Sequence, residues 1–327
     1  MPDPRYKKKQ KSLSGEQENR ICTNQWDRYK RARDNGHLEY IDLAKKCDAF
    51  YRGDQWDQMD IAALDEEGRP ALTINTILPT VNTVIGEQST RRMDINFKPR
   101  RGGNEETAVV LNKLFKQIGD NNKLDWTESQ VFTDGLIQDR GYFDVRMDFS
   151  DHIEGEIKIK AKDPLDILID PDAKEWDPAT WTEVFETRWM TTDEIEEIYG
   201  QKKADRLRII AENGSSFGLD SIEYEESRYG EANNGLEYRE DATNVDVNIE
   251  IAEEVGAVRG IRVIERQHRK MMNCEFYVDQ ETGDMREVPM DWSKQKRNKF
   301  AKEFNLGIIE KLVRKVKWTV TADKVVL

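Results

Sequence analysis

The densest run of candidate ligands in the chain is Asp163-Pro164-Leu165-Asp166-Ile167-Leu168-Ile169-Asp170-Pro171-Asp172. Carboxylates clustered this closely could hold Mg2+ for phosphodiester hydrolysis. Their spacing argues otherwise: a strand would send Asp166 and Asp170 to one face about 13 Å apart, too far to share an ion. Asp-Pro pairs also initiate turns. The run therefore reads as strand and turn structure, with a metal-dependent nucleic-acid enzyme built on residues 163–172 as the alternative. The histidines His37, His152 and His268 lie before a helix, in a hairpin turn and in a basic strand. None has the partner spacing of a metal site or triad, and a surface position is expected for each. Cys22, Cys47 and Cys274 are odd in number and lack CxxC spacing, which fits a reducing compartment and argues against structural zinc. A GxxxxGKS/T loop, a GxGxxG after a strand, a GxSxG elbow and an HExxH helix are all missing. No catalytic, cofactor-binding or metal-binding residue is assigned, and the chain is not expected to be an enzyme.

Two basic clusters could meet nucleic acid or an acidic partner. Arg91, Arg92, Lys98, Arg100 and Arg101 surround a helix-strand-turn junction and are candidates for DNA or subunit contact. Lys294, Lys296, Arg297, Lys299 and Lys302 decorate one short helix, with Trp292 and Phe300 nearby, as a candidate partner-binding surface. The charge around them is distributed in blocks. The 327 residues carry a net −13, yet residues 1–33 hold ten Lys/Arg against four Asp/Glu and residues 255–327 hold sixteen against ten. Residues 212–254 hold two Arg against thirteen Asp/Glu. A protein that wraps DNA tightly would be basic over most of its surface, so any nucleic acid here is touched loosely or locally. An ordinary soluble interaction module would fit the composition equally well. No window approaches the roughly 18 consecutive apolar residues of a spanning helix, and the basic N-terminus lacks a following apolar stretch; no membrane partner is expected.

The elements that must position these residues follow from periodicity. Residues 1–36 read as a mobile basic arm leading into a helix around Trp26. Tyr40, Leu43, Cys47 and Phe50 share one face of a helix that stops near Gly53. Ile77, Val81, Val84 and Gln88 stripe a second helix, and residues 94–98 read as a strand closed by Pro99. A helix capped by Asn104 should end at Gly119, and another should run from an Asp125 cap to about Gln138. The period then changes from 3.6 to 2. Phe143, Val145, Met147 and Phe149 alternate with charges, as do Ile157, Ile159 and Ala161, predicting a half-buried hairpin. Leu165, Ile167 and Ile169 suggest a third strand and residues 181–190 a fourth, followed by a Thr191-Thr192-Asp193-Glu194 capping box.

The acidic stretch 212–254 reads as a linker or surface loop. Beyond it, strands over 261–264 and 275–278, a turn at 281–284, a helix over 291–305 and a strand over 312–321 make a small β-β-α-β unit. The expected fold is thus α+β: a helical and antiparallel-sheet domain over 37–211, then a second domain over 255–327. The apolar Val325, Val326 and Leu327 suggest a fragment, or a chain completed by another polypeptide.

In this order the pieces resemble the portal proteins of tailed bacteriophages, specifically those of short-tailed phages. The likeness begins with Phe50-Tyr51-Arg52-Gly53-Asp54-Gln55-Trp56, Gly68-Arg69-Pro70-Ala71-Leu72-Thr73-Ile74-Asn75 and Val81-Asn82-Thr83-Val84-Ile85-Gly86. It continues with Asp139-Arg140-Gly141-Tyr142-Phe143-Asp144-Val145-Arg146 and the run from Lys162 through Ala173, similar to the family's wing sheet and its Asp-Pro turn. Val263-Ile264-Glu265-Arg266-Gln267-His268-Arg269-Lys270 and residues 313–326 are similar to the strands bounding the clip.

The resemblance implies a wing-like domain over 37–211, a clip-like domain over 255–327 and a structural, non-enzymatic role. Portals of this kind form a dodecameric homo-oligomeric ring at one capsid vertex, the head-tail connector of the virion, assembled in the host cytoplasm. Double-stranded DNA is packaged and later ejected through the ring. The clip binds the terminase large subunit first and tail adaptor proteins afterwards, and the ring sits among major capsid and scaffolding proteins. On this reading Lys294, Lys296, Arg297, Lys299 and Lys302 form the docking surface. Family members continue into stem helices, further wing and a crown, and the resemblance leaves open whether residues 1–327 close the ring by themselves.

Overall fold

The computed structural model describes residues 14–92, 95–99, 105–149, 153–212, 261–279, 283, 285–289 and 292–327. Residues 1–13 of the expected arm, the Asn104 cap, Asp151 and His152 in the hairpin turn, most of the 281–284 turn and the acidic stretch beyond Glu212 lie outside these residues.

The helix expected around Trp26 is α1 (Gly15–Ala32), opened by a capping box in which Ser14 and Gln17 satisfy each other's backbone N–H groups. Its apolar stripe, Cys22, Trp26, Tyr29 and Ala32, is buried. Gly36, at φ +105°, turns the chain into α2 (Leu38–Arg52), which ends on Gly53 in the left-handed region. A side chain at Gly53 would also press on Asn75, 3.3 Å from the position of a Cβ. Asn75 donates to the Tyr51 carbonyl and accepts from the N–H groups of Ile77 and Leu78. One side chain thereby joins the end of α2 to the start of α4 (Ile77–Thr90), beyond the short α3 (Gln58–Glu66). Pro79 falls in the first turn of α4, where no intrahelical N–H is needed.

The strand expected at 94–98 does not form: its described residues are irregular, and Phe97 has its N–H and C=O bonded by the Asn112 side chain instead of a neighbouring strand. Helix α5 (Glu105–Asn122) runs past Gly119, and the break before α6 (Leu124–Gln138) is Lys123 at φ +49°. Asp125 lies within the first turn of α6 rather than at its cap.

Gly141 links α6 to the hairpin. A Cβ there would sit 2.3 Å from the Val131 carbonyl oxygen, so only glycine allows this approach. Strands β1 (Tyr142–Asp148) and β2 (Glu156–Lys162) pair antiparallel with Val145 opposite Ile159. The orientation reverses the expected one. Phe143, Val145 and Met147 are 47%, 60% and 46% exposed, while Asp144, Arg146 and Asp148 face inward. The charged face is the half-buried one because the surface beneath it is itself charged. Arg146 reaches Glu265 at 2.9 Å and Glu186 at 2.6 Å, Lys162 reaches Glu186 at 2.5 Å, and the Arg146 guanidinium lies 5.0 Å from the Trp318 ring centre.

That surface belongs to a six-stranded antiparallel sheet. It comprises β3 (Ile167–Leu168), β4 (Glu183–Met190), β5 (Ile261–Asp279), β7 (Leu306–Ala322) and β8 (Val325–Val326) in that order, with β6 (Met285–Glu287) on the far end of β5. The third strand is shorter than expected because Asp163 caps a tight turn at Pro164–Asp166 before it and Asp170 organises another turn after it. The two strands expected at 261–264 and 275–278 are one 19-residue strand.

Helix α1 packs on one face of the sheet, where Trp26, Tyr29 and Ala32 meet Leu168, Phe185 and Ile264. Gln25 donates to the Ile264 and Thr319 carbonyls beneath it. On the other face α7 (Thr192–Tyr199), opened by the Thr191/Glu194 capping box, and α8 (Gln201–Glu212) cover Met190, Val263, Ala322 and Val325 through Ile195, Ala204 and Leu207. Burying side chains of this size stabilises by roughly 1.5–3 kcal/mol each. The molecule is α+β, with its core at this sandwiched base of the sheet.

Candidate docking and nucleic-acid surfaces

Beyond His268 the strand β5 has no β4 partner; it continues with β7 to Asp279 opposite Leu306, joined by β6 only over 276–278. At about 3.4 Å per residue this two-stranded ribbon projects on the order of 35 Å from the sandwiched base. Its tip is closed by β6 and by α9 (Lys294–Glu303), with Ser293 accepting from the Lys296 N–H as N-cap. Phe300 and Trp292 pack with Tyr277, Val288, Ala301 and Leu306 in a small apolar cluster.

The expected docking residues divide on this frame. Lys294, Lys296, Lys299 and Lys302 are exposed on α9, with the Lys296 ammonium 4.4 Å from the Trp292 ring centre. Arg297 instead points back into the fold, donating from Nε to the Trp292 carbonyl at 2.7 Å and from Nη1 to Glu275 at 2.5 Å. It fastens the helix to β5, so the other four carry the outward charge.

The second basic cluster is more engaged. Arg91 pairs with Glu87 at 2.6 Å one turn earlier, and Arg92 holds Asp125 and the Ser129 hydroxyl of α6, both at 3.0 Å. Lys98 is exposed, and Arg100 and Arg101 lie outside the described residues.

The carboxylates of 163–172 are occupied in turns. Asp163 accepts from the Leu165 N–H, Asp170 from the Asp172 and Thr182 N–H groups, and Asp172 pairs with Arg31 at 2.8 Å. Partial desolvation, then repulsion from Asp163 and Glu186, pushes the Asp166 carboxyl up to about 6, although the residue as a whole is exposed. Among the described residues no group of three or more His, Cys, Asp or Glu could hold a metal ion.

His37 is not at the surface. It is buried, 3.0 Å from the Leu165 carbonyl, and burial lowers its pKa to about 4. His268 is half-buried in the ribbon base, where desolvation and then Arg266 and Lys317 lower its pKa. The cysteines are free, with Cys22 and Cys274 buried.

Sequence reasoning missed one further cationic surface. Along the ribbon, Lys270, Lys311, Lys315 and Lys317 share a face, because Lys270 is opposite Lys315 and His268 opposite Lys317. The alternation of Lys315 and Lys317 was visible within β7, but only the pairing with β5 brings Lys270 and His268 beside them.

No helix among the described residues is long and apolar enough to cross a membrane. Compared with known families, residues 26–327 match the profile of the family described as phage P22-like portal protein. No curated protein matches the chain.

Proposed function

Because the chain belongs to the P22-like phage portal protein family, we propose that it is the subunit of a head-to-tail connector. The family is structural rather than catalytic, a component of the phage particle that forms an oligomeric ring on the capsid. In the proposed assembly the ring, a dodecamer, occupies one vertex, and double-stranded DNA is packaged and ejected through it. Residues 37–211 act as the wing, held among major capsid and scaffolding proteins, with 212–254 as an acidic link. Residues 255–327 act as the clip.

The observation that carries the reading, beyond the family itself, is the ribbon of β5 and β7 closed at its tip by α9. A two-stranded projection ending in a short basic helix on an apolar seat presents charge far from the core of the molecule. We assign the docking of the terminase large subunit, and later of the tail adaptor, to Lys294, Lys296, Lys299 and Lys302, with Arg297 holding the helix in place. The net charge of −13 suits a conduit, since it offers a sliding duplex no deep electrostatic well.

The test is Lys296→Glu combined with Lys299→Glu, read as binding of the terminase large subunit by surface plasmon resonance. Both side chains are exposed, so folding by circular dichroism should be unchanged while docking weakens by about tenfold or more, as for lost charge pairs at an interface. Intact folding with unchanged docking would remove α9 from the clip interface.

A further inference from the structure

The face of the ribbon opposite the α9 seat has an unusual composition. From β5 it presents His268, Lys270, Met272 and Cys274, and from β7 Ile309, Lys311, Val313, Lys315 and Lys317. Neither strand contributes a carboxylate to this stretch. Lys315 contacts Glu287 on the neighbouring β6. Lys270, Lys311 and Lys317 are exposed and have no carboxylate in ion-pairing range among the described residues.

The arrangement works against the stability of the ribbon. Lys270 directly faces Lys315 on this face. Like charges directly opposite on one face of an antiparallel pair are destabilising. The base of the same sheet shows the ordinary remedy, since Glu183 sits opposite His268 on β4 and pairs with Arg266 at 2.5 Å. In the projecting part Glu287 serves Lys315 alone, and Lys270, Lys311 and Lys317 have no carboxylate in ion-pairing range among the described residues, so an external polyanion would relieve the remaining repulsion.

The chemistry of the face identifies the polyanion. Protein interfaces are anchored by aromatic side chains or arginine forks; the lysines of α9 have Trp292 beside them, and this face of the ribbon has no such anchor. Here the free cations are all lysines, flexible point charges suited to phosphate contact without sequence readout. The other face of the ribbon, with Met271, Leu312, Arg314, Val316 and Trp318, has the composition of a protein contact. We propose that the lysine face of the β5–β7 ribbon, centred on Lys270, Lys311 and Lys317, contacts the phosphodiester backbone of duplex DNA. The inference rests on the connector reading and deepens it by naming where the passing duplex is touched.

The test is fluorescence anisotropy of a labelled mixed-sequence duplex titrated with the full chain between about 50 and 200 mM salt. Each phosphate contact contributes roughly 0.9 to the slope of log K against log salt. The triple variant Lys270→Gln, Lys311→Gln, Lys317→Gln should bind more weakly and flatten the slope by about 2.7, and Lys311→Gln alone by about 0.9. Lys46→Gln, Lys113→Gln, Lys116→Gln changes the net charge equally on distant helices and should leave the slope within error of the parent.

Equal losses in the two triples, or an unchanged slope in a ribbon triple with native circular dichroism, would overturn the proposal. So would a ribbon triple that lost self-association in sedimentation velocity while keeping its duplex slope, because the face would then belong to an acidic protein contact. Particle mass is read on the same samples. Rings without duplex binding would sink the DNA contact and leave the connector, whereas neither rings nor binding would remove both.

Discussion

His37 hydrogen-bonds the Leu165 carbonyl through Nε2, and since a carbonyl only accepts, Nε2 carries the hydrogen and the buried Nδ1 is left without a partner. Protonation at Nδ1 would place a charge in a desolvated site facing Arg140 and Arg262, and the pKa falls from the ordinary value of 6.5 to about 4. The unfolded chain therefore binds a proton near pH 6.5 that the folded chain refuses until about pH 4. The resulting stability is fully present above pH 6.5 and is lost as pH falls towards 4, by up to about 3 kcal/mol. His37→Gln keeps an N–H donor for Leu165 and removes the titration. Chemical denaturation at stepped pH should show the variant's stability curve flatter than the parent's between these limits, and parallel curves would refute the assignment. The sequence could not have placed this histidine: its partner is 128 residues away. The Thr191/Glu194 capping box was legible because both members lie within one helical turn and need nothing else to form.

At the scale of elements, the hairpin shows how far periodicity reaches. Alternation over 142–148 and 156–162 gives the two strands, since period 2 is a local property. It does not say which face turns inward, and here the charged one does, because Glu186 and Glu265 wait on the sheet. Arg146 is the clasp. Removing it would leave two carboxylates, of side chains 9% and 4% exposed, without their main counter-charge, and stranding a buried charge in this way costs several kcal/mol. Arg146→Ala should lower stability by about 2–3 kcal/mol, less than a fully buried pair because Lys162 still serves Glu186. Hydrogen exchange of residues 142–162 should accelerate first, and exchange as slow as the parent's would show that the hairpin is held by other contacts. The same limit explains the remaining differences. The middle of β5 carries polar residues on both faces because it leaves the sheet, so no alternation marked it as one strand. Residues 94–98 alternated well but had no strand to pair with, only Asn112.

Across the whole molecule, the first and last described elements, α1 and β8, meet at one sheet. Helix α1 lies on strands from residues 183–190 and 261–279, and β8 returns to β7 beside it, with Glu18 accepting from the Val326 N–H. The longer helices and the hairpin were readable from the sequence, as was the resemblance that the family match now states, whereas α3, α8 and β6 were not anticipated. The long-range pairings were not, because register between segments this distant is set by packing rather than by local propensity. The lysine face depends on such a pairing, and α9 is held at the tip by Arg297 on Glu275 and by Phe300 and Ala301 packed with Tyr277. The account's central claim is that this chain is a connector subunit. Mass photometry with negative-stain images viewed down the particle axis tests it most directly. Closed rings of uniform mass, dodecameric and with a central opening wide enough for a duplex, are the predicted result, and a discrete monomer at every concentration would contradict it.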